Sequence, residues 1–122
     1  MTGEESVLDQ AALAQLLDVI GGKTSDLAEL IESFLDESPG LMEQLREGIR
    51  ASKTDLVRRA SHTLKSSARD FGALDLSMVC ATLEHDSNSG RLTNAAGLVA
   101  EIETRYAIAR MALEDLLKTY RS

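Results

Sequence analysis

The feature that most constrains this chain is the seam Ala95, Leu98, Ile102, Tyr106, Ala109, Leu113, Leu116 and Tyr120. It steps by threes and fours without a break. Such spacing keeps one face apolar only on an α-helix, and fully helical it would span about 38 Å. A stripe that long must be covered by other helices. Upstream the same period recurs. Asp9 can cap a helix carrying Leu13, Leu16, Leu17 and Ile20, which Gly21-Gly22 would end. Thr24 or Ser25 opens a second, with Leu27, Leu30, Ile31, Phe34 and Leu35 on one face. Ser38-Pro39 reads as a cap and first-turn proline, predicting a third helix through Leu41, Met42, Leu45 and Ile49. Ser52 and Asp55 have the spacing of a capping pair for a fourth. Gly72 ends that helix or marks a tight junction, and a fifth is predicted from about Leu74 to Asp86 with Leu76, Val79, Cys80 and Leu83 inward. Ser87–Gly90 reads as a loop.

Every segment is helical and the loops are short. The predicted fold is therefore all-α, an up-down antiparallel bundle of residues 9–122 preceded by a flexible segment over residues 1–8. Composition agrees. Aromatics are only 3% of the 122 residues and tryptophan is absent, which favours packed helices over a sandwich or barrel. A net charge of -7 argues against nucleic acid as the main partner. No stretch approaches the roughly 18 apolar residues of a membrane span. The single cysteine, Cys80, cannot form an intramolecular disulfide, shares a face with Leu76 and Leu83, and reads as core. A cytoplasmic location is expected. Neither a Gly-rich phosphate loop nor the Glu-x-x-His repeats of a bundle metal site occur, so ATP and metal are not expected ligands.

One histidine stands out. In the fourth predicted helix Leu56, Ala60, Leu64, Ser67 or Ala68, and Phe71 form the apolar face, and His62 projects about 160° from both Ala60 and Leu64. Arg58, Arg59, Lys65, Ser66 and Arg69 all fall within about 60° of it. A solvated polar face is the ordinary reading of such a stripe. Chemistry favours another: a neutral imidazole is a good nucleophile, and surrounding cations stabilise an anion attached to it. That combination points to a phosphoryl group. His85, between Glu84 and Asp86, lacks the basic surround and reads as an ordinary surface residue.

The run from His62 to Ala73, followed by Leu76, Cys80, Leu83 and Glu84, resembles the signature of histidine-containing phosphotransfer (HPt) domains. His62, Lys65, Gly72, Ala73, Leu83 and Glu84 match its spacing. Where the family usually has glycine, four residues after the histidine, this chain has Ser66. The resemblance implies a four-helix bundle with additional N-terminal helices. It also implies a phosphoryl carrier without kinase activity of its own. In that role His62 accepts the group from a receiver-domain aspartyl phosphate and passes it to another receiver aspartate, through its outward Nε2. Mg²⁺ is expected from the receiver's acidic pocket, so the chain itself needs no cofactor. Lys65 is expected to contact the phosphoryl oxygens, with Arg69 and Arg58 helping through their field, and Ser66 and Arg59 forming the rim where receivers dock. No carboxylate is expected on the same face as His62, where one could hold metal or activate water, which fits a carrier that keeps its phosphoryl group. The expected partners are receiver domains of hybrid sensor kinases and response regulators, engaged by a monomer. The alternatives are the phosphoacceptor domain of a chemotaxis-type histidine kinase, a kind that usually heads longer chains, and a helical adaptor without chemistry.

Overall fold

A computed structural model describes residues 7–121. The chain folds into five helices, and the described residues contain no strand. The first, α1 (Gln10–Val19), begins as predicted, with the Asp9 carboxylate accepting from the Ala12 amide at 3.1 Å. Leu8, assigned by sequence to the N-terminal segment, is instead buried in the core. Residues 1–6 of that segment lie outside the described residues.

The predicted break at Ser38-Pro39 does not occur. One helix, α2, runs from Thr24 to Arg50 with Pro39 inside it. Its buried stripe of Leu27, Ile31, Phe34, Ser38, Met42 and Leu45 is continuous through the proline. Ser38 is no cap: its side chain is fully buried and its hydroxyl donates to the Phe34 carbonyl. Pro39 itself is exposed, so the turn that loses a backbone hydrogen bond there borders solvent. Burial on both sides of Pro39 outweighs the local cost, and only one helix, α1, precedes the remaining four.

Ser52 is also reassigned. It does not cap α3 (Thr54–Asp70), whose N-cap is Lys53 with no side-chain capping bond. Ser52 sits at φ 55°, and the next amide, of Lys53, reaches back to the Gly48 carbonyl at 2.7 Å. That is the Schellman closure of α2. The end of α3 is built alike, with Gly72 at φ 81° and the Ala73 amide on the Ala68 carbonyl at 2.8 Å. Both sequence alternatives for Gly72 hold, because it also marks a tight junction. The Asp9 amide donates to the Gly72 carbonyl at 2.8 Å, and a Cβ on Gly72 would lie 2.6 Å from the Asp9 carbonyl oxygen.

The last two helices are α4 (Leu74–Asn88) and α5 (Ala95–Arg121). Helix α2 packs on α3 and α5, α4 packs on α3 and α5, and α1 lies on α2 and α3. Leu27, Ile31, Leu45, Leu64, Leu76, Leu83, Ile102 and Leu113 are fully buried between them. Phe34 stacks at 5.2 Å from Phe71 and meets Tyr106 edge-on at 6.2 Å. No described helix is long and apolar enough to cross a membrane.

Candidate functional site

Helix α3 buries Val57, Ala60, Ser61, Leu64 and Ala68. Its inward face is turned slightly from the sequence reading, since Leu56 is only half-buried, but His62 still lies opposite it. The His62 side chain is 56% exposed. A tight turn brings α4 back along α3, and Ser77 on α4 donates its hydroxyl to the Lys65 carbonyl at 3.1 Å. Two turns further along α4, the same face presents Glu84.

Glu84 organises the site. One carboxylate oxygen, Oε2, lies 2.7 Å from His62 Nδ1, and the other, Oε1, lies 2.6 Å from Lys65 Nζ. Its side chain is only 16% exposed and that of Lys65 22%, so the pair is more sheltered than a surface bridge. Burial acts to raise the Glu84 pKa. The hydrogen bonds from Lys65 and His62, with their charges, act the other way and prevail, and the group stays below the usual carboxylate range. A carboxylate can only accept, so Nδ1 must carry the ring proton. The lone pair of the neutral ring is then on Nε2.

The reading that no carboxylate attends His62 is thus corrected. The carboxylate partner, Glu84, stands on the neighbouring helix, outside any projection of α3 alone. Glu84 was legible as part of the His62-to-Glu84 run, but its bond to the imidazole required knowing how α4 packs.

The other predicted residues divide. Lys65 is in place beside His62, held through Glu84. Arg58 and Arg59 both pair with Asp55, Arg58 by a hydrogen bond and Arg59 at 3.5 Å, so their charge is partly spent one turn before the histidine. Asp55 is held below the usual carboxylate range, chiefly by that bond from Arg58. Arg69, about 10 Å along the helix from His62, borders a cleft with Ala12, Leu16 and Val19 of α1. Ser66 is half-buried. His85 is exposed in the last turn of α4. Cys80 is fully buried, and its thiol is pushed up to about 12 by burial and by nearby Glu84, against an opposing pull from Lys65. It is inert as a nucleophile at neutral pH. Among the described residues no three His, Cys, Asp or Glu side chains group to hold a metal ion.

Comparisons with known proteins bear on this arrangement. A search of curated protein sequences gave no match. Among solved structures, the chain is similar to the crystal structure of histidine-containing phosphotransfer protein B from Pseudomonas aeruginosa PAO1. The TM-score is 0.86 at 25% identity, over 96% of this chain and 99% of that one. A family model described as "Hpt domain" matches residues 29–121, from within α2 to the end of α5. That match takes in His62, Lys65 and Glu84 and most of the sequence, and the chain belongs to the Hpt domain family.

Proposed function

We propose that the protein is a phosphoryl carrier of a multistep phosphorelay, with His62 as the acceptor. The observation that carries this reading is the bond from His62 Nδ1 to Glu84 on an otherwise exposed ring. It leaves Nε2 as a fixed, solvent-side nucleophile. In the step proposed, the Nε2 lone pair attacks the phosphorus of a receiver's aspartyl phosphate. The N–P bond forms as the P–O bond to the aspartate breaks, and the aspartate leaves as a carboxylate with the bonding electrons. Mg²⁺, if held by the receiver's acidic pocket, would supply charge balance to the transferring group. Passing the group to a second receiver is the reverse process. Glu84 stabilises the positive charge that the ring gains when Nε2 is phosphorylated. Lys65 retains two further N–H donors beyond the one given to Glu84, and one of these serves the phosphoryl oxygens.

Helices α2 to α5 contact one another in a closed ring through short connections. This supports an up-down antiparallel four-helix bundle, with α1 as the additional N-terminal helix. Ser66 and Arg59 form the receiver-docking rim, Arg58 and Arg69 contribute by their field, and the carrier acts as a cytoplasmic monomer without a kinase activity of its own.

The test is labelling by a phosphorylated receiver domain. His62→Gln should abolish the acid-labile label while thermal melting stays near wild type, because an exposed side chain contributes little to stability. A label that survives His62→Gln and disappears with His85→Gln would overturn the assignment.

A further inference from the structure

A phosphoryl group on Nε2 presents three anionic oxygens, more than Lys65, one of whose N–H donors goes to Glu84, serves alone. Lys65 is tied to Glu84 at 2.6 Å, while Arg58 and Arg59 are turned to Asp55. The hydroxyl of Ser66 is different. It stands four residues after His62, one turn on and about 40° around the helix, where side chains are neighbours. Of the buried serines, Ser77 donates to the Lys65 carbonyl, while Ser38, Ser61 and Ser87 spend their hydroxyls on the carbonyl four residues back, that of Phe34, Val57 and Leu83. For Ser66 that carbonyl belongs to His62 itself. The bond is not made, and among the described residues the Ser66 hydroxyl is the uncommitted donor one turn from the imidazole. Thr63 lies a full 100° around the helix from His62, and Ser67 about 140°.

We infer that the Ser66 hydroxyl donates a hydrogen bond to a phosphoryl oxygen carried on His62 Nε2. It thereby prolongs the life of the phosphohistidine. This rests on the carrier reading above. The bond is between a neutral donor and an anion, the stronger kind, and it is fully used only when the phosphoryl group is present. Because the transition state for loss of the group is loose and places less charge on the peripheral oxygens, the bond protects the ground state more than it assists departure. Ser66 is therefore a contact to the reacting group rather than only a small residue that leaves room for a partner.

Phosphoramidate provides the test without any receiver. Its P–N bond breaks, ammonia leaves, and the phosphoryl group passes to Nε2. After the donor is removed, decay of the label is followed on phosphate-affinity gels, and the phosphohistidine ³¹P resonance is recorded. Ser66→Ala should shorten the lifetime by roughly tenfold and move the ³¹P shift, while the melting temperature does not fall. Ser66→Thr, which keeps the hydroxyl, should restore most of both. Equal lifetimes and an unmoved ³¹P shift in wild type and Ser66→Ala would overturn the role of Ser66 alone. A wild-type protein that phosphoramidate and a phosphorylated receiver both leave unlabelled would overturn the carrier reading and this inference with it.

Discussion

A single carboxylate decides which nitrogen of His62 is free. If Glu84 fixes the ring proton on Nδ1, Glu84→Gln removes that control, because an amide can either accept from Nδ1–H or donate to a bare Nδ1. The Nε2–H tautomer should then become populated in ¹⁵N spectra of the imidazole, and labelling should slow by about tenfold. The same residue has a stability signature. Its folded-state pKa is lowered, so its contribution is present above the ordinary carboxylate pKa and is lost as pH falls through the lowered value. The melting difference between wild type and Glu84→Gln should shrink as pH falls below about 5. Tyr106 makes an opposite case. Among the described residues its hydroxyl is buried without a hydrogen-bond partner, which costs stability. Tyr106→Phe should raise stability by about 1 kcal/mol in a denaturant titration and leave labelling unchanged.

Helix ends carry the next lesson. α2 and α3 close with the same motif, α3 with glycine at the left-handed position and α2 with Ser52. A side chain in that conformation costs roughly 1–2 kcal/mol. Ser52→Gly should therefore stabilise the protein by about 1 kcal/mol. Gly72→Ala should destabilise it by more than that, since a Cβ there also collides with the Asp9 backbone. Equilibrium unfolding of the two variants measures both. Such sites show how far the sequence is legible. Periodicity located the helices of the chain, because a 3.6-residue stripe is a property of each segment alone. It failed at Ser38-Pro39 and at Ser52, where a local pattern suited two conformations and packing chose between them. His62 and Lys65 were readable because they share one helix face. The bond from Glu84 was not, since it depends on the register of α4 against α3, and no single-helix projection contains that information.

Across the whole molecule, the three residues of the site come from two successive helices joined at Phe71–Ala73. The imidazole and its carboxylate are 22 positions apart. The packing of α2 on α5, by contrast, joins the early part of the chain to its end, as in the ion pair Arg46–Glu103, 57 positions apart. Leu113→Ala, in the fully buried seam of α5, should cost about 2–5 kcal/mol. Closing a short loop is cheaper in entropy than closing a long one, so the order of assembly is built into the chain. The hairpin of α3 and α4 should form first, with α5 docking onto a His62–Lys65–Glu84 cluster already in outline. In kinetic terms Leu113→Ala would then fall mainly on the unfolding limb of a chevron plot, and Leu64→Ala or Leu83→Ala would slow folding itself.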